Sequence, residues 1–358
     1  MARVGTLVAT ALLLAACSTG GTASSAPSAA PATPAASESA AASEAPSESA
    51  AAGPGDPEKT TLKIVQGSDP DFTQVALTKA FENLKAKGID VEYASVADTD
   101  TASRAVIAGQ ADIVVNSLYF GINAVKNGIP LKTFLVDAQT LDYLLVSRPD
   151  VTDVKQLIGG TVGINKPGDL GGTTAIQCLK AQGINVDEVE FVQVGGTSAR
   201  MAALLAGQIM AAPAHAAEAL NAKNEGGLNV LSDCGKEIGS FLQTGATSTE
   251  EWLAANPNLA QHFVDAYLDA LRWAQTDKAG YIALSKEVVP DLDDSLRDPS
   301  YDVLHDAGLF AVNGGLNPES IQKLIDIGID SKAIEEPVPD TWYTMDFIES
   351  YLARNGEQ

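Results

Sequence analysis

Gly171-Gly172-Thr173-Thr174 opens a helical pattern over 173–182, a few residues after a strand-like run over 161–164. Backbone N–H groups and threonine hydroxyls at a helix start present a neutral cradle to carboxylate or sulfonate oxygens, although a plain threonine N-cap uses the same letters. Three more loops follow strand-like runs in the same way: Gly67-Ser68-Asp69, Asn116-Ser117-Leu118-Tyr119 and Pro213-Ala214-His215. In parallel α/β sheets ligands sit at such loops, because strand ends and helix starts converge there. Ser68, Asn116 and Ser117 bring hydrogen-bonding groups, and a simple turn or cap would use them too. Asp69 and Asp137 would favour a ligand amine, whereas most such carboxylates cap helices or face solvent. His215 is a ligand candidate with the ordinary alternative of a satisfied structural histidine. Tyr119, Phe120 and Tyr143 would wall a cleft or fill a core. Arg200 opens an amphipathic helix, where solvent or a salt bridge is its usual partner, and Gly195-Gly196-Thr197 reads as an anion-contacting turn or as a loop needing positive φ.

Other chemistries lack material. Three His and three Cys, none at metal-ligand spacing from another, leave no expected metal site and no thiol active site. No Gly-x-x-x-x-Gly-Lys-Ser/Thr segment exists to hold a nucleotide. A formal charge of −23, from 46 Asp and Glu against 23 Lys and Arg, argues against nucleic acid and against anionic membrane surfaces. No catalytic residue and no cofactor is expected.

The elements that must position these loops alternate from residue 60 onward, which predicts an α/β fold with mainly parallel sheets. Strands are expected at 62–65, 91–96, 111–115, 131–136 and 142–147, with helices at 72–87, 99–108 and 119–126 between them. The same grammar restarts after Pro149: strands at 161–164, 189–194, 208–212, 228–231 and 240–244, helices at 151–158, 173–182 and 198–206, then a largely helical remainder from 249. One phrase occurs twice. Arg104 to Ile113 and Arg200 to Ala211 each read as a helix, a glycine suited to a left-handed C-cap (Gly109, Gly207), a glutamine and a buried strand. The duplication suggests two equivalent lobes.

Arg3, an apolar run over 4–14 and Leu14-Ala15-Ala16-Cys17 compose an export signal too short to span a bilayer. Its end resembles a bacterial lipobox, with Cys17 as the lipidated residue; an ordinary cleaved signal is the alternative. Residues 18–59 are dominated by Ser, Ala, Pro, Thr, Gly and Glu and form a tether that can bury no core. Cys178 and Cys234 remain, and export permits a disulfide between them or two free thiols.

Lipobox, tether and duplicated phrase together resemble solute-binding proteins of bacterial ABC importers, and more narrowly the SsuA/THI5-like (NMT1-like) group. The resemblance is carried by Val106 to Ile113, by Asp153 to Gly163, by Arg200 to Ala211 and by the Asn256-Pro257 helix that continues to Ala274. It implies a two-lobed, type II periplasmic-binding-protein-like fold with the ligand cleft between lobes: signal 1–17, tether 18–59, first lobe 60–147, second lobe 148–242, and 243–358 completing the first lobe and adding C-terminal helices. It further implies hinge closure over a small organic solute, sulfonate- or taurine-like, nitrate-like or thiamine-pyrimidine-precursor-like. Delivery would be to a membrane permease with a separate ATPase, from an extracytoplasmic, lipid-anchored position. Two departures bear on the ligand: Met210 stands where the second copy usually has Asp, and the loop 167–172 differs from the family form. Alternatives are a non-transport surface lipoprotein or sensor partner, and an enzyme like the family's thiamine-pyrimidine synthases, for which Lys166 and His215 are the tempting pair.

Overall fold

The computed structural model describes residues 53–68, 70–96 and 99–358, all within one unit spanning Ala50–Gln358. Cys17, most of the tether and Asp69 lie outside the described residues. The chain from Gly55 to Lys59, expected as the end of the tether, is docked. Glu58 accepts from the backbone N–H groups of Asn258 (3.0 Å) and Leu259 (2.9 Å), placing a carboxylate at the positive start of the longest helix, where it is stabilising. Lys59 pairs with Asp112 at 2.7 Å.

The elements run in order β1 (Thr61–Gln66), α1 (Val75–Ala86), β2 (Asp90–Ser95), α2 (Thr99–Ile107), β3 (Ile113–Ser117), α3 (Leu118–Lys126), β4 (Leu131–Ala138) and β5 (Tyr143–Ser147). Then follow β6 (Thr161–Ile164), α4 (Leu170–Ala181), β7 (Glu190–Gln193), α5 (Thr197–Leu205), β8 (Ala211–His215), α6 (Ala216–Gly226), β9 (Asn229–Asp233), α7 (Cys234–Ile238) and β10 (Thr244–Thr249). Helices α8 (Glu250–Ala255), α9 (Pro257–Thr276), α10 (Lys278–Val288), α11 (Asp294–Asp306), α12 (Pro318–Asp330) and α13 (Asp346–Asn355) complete the chain. Two five-stranded sheets form, in the orders β2-β1-β3-β10-β4 and β7-β6-β8-β5-β9. Each has the same plan. Parallel neighbours are joined by helices, and one antiparallel strand, β10 or β5, arrives from the other half.

The duplicated phrase folds as its spacing predicts. Gly109 and Gly207 take φ of 68° and 72°, the left-handed conformation that glycine enters without steric cost, and in both copies the following glutamine N–H returns to an alanine carbonyl, Ala105 or Ala203. The departure at Met210 has a local reason. Asp112 accepts from the Lys63 N–H in the first copy, whereas the Met210 thioether fills the space over Gly160, where a Cβ would collide with it.

Two strands differ from expectation. β8 begins three residues later than the apolar run suggests, so Pro213 lies inside it. β6 pairs with β8 only at Val162 and Ala211, so no ladder partner faces the proline on that flank and its missing N–H costs nothing. Its carbonyl is taken instead by Arg200 Nε at 3.0 Å. The guanidinium, 2 % exposed, also donates to Gly195 O and Thr197 Oγ1. Arg200 is thus a buried stitch between β8 and the loop before α5, and not a solvent-facing cation. β10 begins at Thr244 because 240–243 belongs to a crossing between the sheets.

β5 lies wholly in the second sheet, so the first crossing is 139–142 and the second, through α7, is 234–243. They run side by side: the N–H of Phe241 donates to Gln139 O (3.0 Å) and that of Gln243 to Ala138 O (2.8 Å). Gly235 approaches so closely that a Cβ would collide with the Leu141 carbonyl oxygen. Because that obstacle is backbone, Gly235→Ala is expected to cost roughly 2 kcal/mol, read as a lower urea midpoint at unchanged m-value. An unchanged midpoint would mean that the crossings separate freely.

Candidate functional site

The carboxyl ends of the parallel strands in both sheets lie at the crossings. Parallel β1, β3 and β4 all end there, as do β6 and β8, while antiparallel β10 and β5 begin there; register sets Ser117 beside Thr244, Thr244 beside Ala138, and His215 beside Tyr143. Tyr143 Oη lies 3.0 Å from His215 Nε2, and their rings pack at 4.2 Å between centroids. His215 Nδ1 lies 2.9 Å from the Asp142 carboxylate, which also accepts from Gln243 Nε2 at 3.2 Å. One hydrogen-bonded network therefore joins the end of β8, the start of β5 and both crossings.

Its electrostatics are set by burial and by close acids. The Asp142 side chain is 1 % exposed. Burial opposes its charge, yet His215 and the Gln243 amide hold its carboxyl below the usual range. Burial likewise opposes an imidazolium, but Asp142, with Asp71 and Glu218 further off, pushes His215 up to about 10. At neutral pH His215 is then a cation donating from both nitrogens, and Tyr143 Oη accepts from it. Asp71, in the loop after β1, caps the turn at 72–74, taking the Thr73 N–H at 2.8 Å and Gln74 Nε2 at 3.1 Å; burial pushes its carboxyl up, with His215 opposing. Glu218, in the first turn of α6, is also pushed up by burial, and its Oε2 has no partner.

The residues singled out from sequence are distributed unevenly around this network. His215 is its centre. Asn116, 7 % exposed at the end of β3, donates from Nδ2 to Ser103 Oγ at 3.0 Å and leaves Oδ1 without a partner. Ser117 precedes α3 without a side-chain capping bond. Tyr119 packs edge-on to Phe241 beside the crossings, its hydroxyl without a partner. Asp137 accepts from Tyr267 Oη at 2.7 Å, and burial pushes its carboxyl up. Ser68 is exposed and accepts from Gln66 Nε2.

The start of α4 is already occupied by the chain itself. Asp169 Oδ1 accepts the Gly172 N–H at 2.7 Å, the Thr173 hydroxyl meets Ser331 Oγ at 3.2 Å, and the Thr174 hydroxyl donates to Leu170 O at 2.8 Å. Lys166 pairs with Asp100 at 3.2 Å and takes no part in the His215 network.

Asp71, Asp142, Glu218 and Gln243 were not singled out from sequence. Glu218 carried a weak signal, three residues after His215 on a helix and hence on a neighbouring position. Asp142 and Gln243 sit in crossings, which no periodicity marks. Among the described residues no group of three or more His, Cys, Asp or Glu is arranged to hold a metal ion. None of their helices is long and apolar enough to cross a membrane.

The NMT1/THI5-like family model matches residues 69–279, more than half the chain. The chain belongs to the NMT1/THI5-like family. Solved structures with the same fold include the zinc-bound ligand-binding component of an ABC-type import system from Staphylococcus aureus, at 12 % identity and a TM-score of 0.69, covering 81 % of this chain and 98 % of that one. The MOPS-bound alkanesulfonate-binding protein SsuA from Xanthomonas axonopodis pv. citri matches at 15 % identity and 0.66, covering 80 % and 99 %. The desulfurization enzyme DszB matches at 14 % and 0.60, covering 82 % and 99 %. No curated protein matches the sequence. This NMT1/THI5-like chain therefore has the two-lobed α/β fold of periplasmic binding proteins, a fold shared by transport proteins and at least one enzyme.

Proposed function

We propose that the chain is the solute-binding component of an ABC importer, taking a small organic molecule between its two sheets and handing it to a membrane permease energised by a separate ATPase. The observation that carries this reading is the His215–Asp142–Tyr143–Gln243 network, in which polar side chains from both crossings and from a strand end meet at the sheets' common edge. Family membership and the transport proteins sharing the fold support it. Closure needs only ligand contacts to both halves, which bias an open-closed equilibrium. Lipidation at Cys17 would hold the chain at the outer face of the cell membrane; Cys17→Ala should release it into the soluble fraction.

Catalysis is less well served by the same geometry. With its pKa near 10, His215 is a hydrogen-bond donor at neutral pH and not a general base. Cys178 and Cys234 are joined to each other, so no sulfur nucleophile lies among the described residues. The direct test is a thermal-shift panel of sulfonates, taurine, nitrate and aminopyrimidines on the purified chain. At least one is expected to raise the melting temperature by several degrees; no shift with any small anion, zwitterion, amine or heterocycle would reject solute binding.

A further inference from the structure

We propose that the ligand at the His215 network is an organic cation rich in N–H donors, of the amidinium or guanidinium class, and not an organic anion. The inference rests on the solute-binding reading and fixes the charge of the solute.

Charge is the first ground. Facing the network are Asp71 from the loop after β1, Asp142 from the first crossing, Glu218 from α6 and Asp169 from the start of α4, against two cations, His215 and Arg200 of α5. The Arg200 guanidinium donates to Gly195 O, Pro213 O and Thr197 Oγ1. Lys166, three residues before Asp169, is bound to Asp100. An anion placed here would meet a surplus of carboxylates at low dielectric, where like charges repel most.

Unmatched hydrogen-bonding capacity is the second, independent ground. Gln243 is 3 % exposed and its Oε1 has no partner. Its orientation is fixed, since the other end of the amide faces the Asp142 carboxylate, which can only accept. Asn116 Oδ1 is unpartnered and fixed by the same logic: the Ser103 hydroxyl spends its hydrogen on Thr99 O and must receive the Asn116 N–H. Glu218 Oε2 and Gln74 Oε1 are also without partners. All four are acceptors. A buried acceptor left unmade costs about 1–3 kcal/mol, so a guest bearing several N–H groups recovers what an anion cannot. Of the donors nearby, both His215 nitrogens are engaged and the Gly172 N–H holds Asp169; the hydroxyls that remain, Tyr119, Thr140 and Tyr143, accept as well as donate.

The test is calorimetric titration of the full purified chain with benzamidine, benzamide, taurine and methanesulfonate. Benzamidine is expected to bind at least tenfold more tightly than the neutral amide and the sulfonates. Glu218→Gln, whose free oxygen makes no internal bond to lose, should weaken that binding about tenfold; Asp71→Asn should do the same while leaving the circular dichroism unchanged. Sulfonate binding with no cation binding would overturn the inference and leave solute binding intact. Cation binding insensitive to both substitutions would move the site elsewhere and also overturn it. Binding of none of the four would count against solute capture itself.

Discussion

Raising the pH from about 5.5 to 10.5 is expected to remove roughly 5 kcal/mol of folding stability from the wild-type chain and much less from His215→Gln. The unfolded histidine titrates near 6.5, the folded one near 10. A group whose folded pKa is raised contributes fully below its unfolded value and loses that contribution as pH climbs through the folded one. At about 1.4 kcal/mol per pKa unit, the separation gives the stated size. Asp71 and Glu218, also raised, act with the same sign but from the carboxylate range upward, and Asp142, lowered, acts with the opposite sign at acid pH. The difference between wild type and variant above pH 7 isolates His215. At pH 6 the variant should be less stable by about 3–5 kcal/mol, because the nearly inaccessible Asp142 carboxylate is left uncompensated, and adding Asp142→Asn should return part of that loss. Urea midpoints at pH 6, 8 and 10 decide the matter; parallel curves for wild type and His215→Gln would show that folding leaves the imidazole pKa unshifted.

What was legible in the sequence follows from where physical signals are local. The duplicated phrase was readable because helix, left-handed glycine and strand are each set within a few residues, and Gly109 and Gly207 adopt the required conformation. Crossings were not readable. Residues 139–142 and 234–243 take their shape from each other, through Phe241 to Gln139 and Gln243 to Ala138, and two segments a hundred residues apart show no periodicity of that pairing. The strand at β8 begins later than expected for a related reason: Pro213 is a breaker by local rules, and only the single-pair contact of β6 with β8, a tertiary feature, makes its missing N–H tolerable.

For the site, the strand ends were readable as places in the fold, whereas the partners of the side chains there were not. Gly172, Thr173 and Thr174 look like an anion cradle in isolation, and the anion turned out to be a neighbour, Asp169, three residues before Gly172. His215 was visible as a lone histidine, whereas its meaning depends on Asp142, which pairs with it through the register of β5 on β8. Local patterns announce helix starts and strand ends; the sign of the charge gathered there is a tertiary property.

The largest covalent contribution should come from the bond between Cys178 in α4 and Cys234 at the start of α7, fifty-six residues apart in sequence and both fully buried. Closing a loop of that length in the denatured chain corresponds to about 4 kcal/mol in the chain-entropy account. Cys178→Ser with Cys234→Ser is therefore expected to lower the melting temperature by roughly 5–10 °C, and reductant should do the same to the wild type but nothing to the double variant. The position gives the bond a second consequence. It fastens the second crossing to α4, so in the proposed closure α7 would move with the second sheet and motion between halves would fall to 139–142 and 239–243. The double variant should then bind solute with a faster off-rate as well as unfolding earlier, because the closed geometry around Gln243 is less firmly held. A melting temperature indifferent to both substitution and reductant, or two free thiols titrated at Cys178 and Cys234 in unreduced protein, would remove this constraint and the hinge assignment that depends on it.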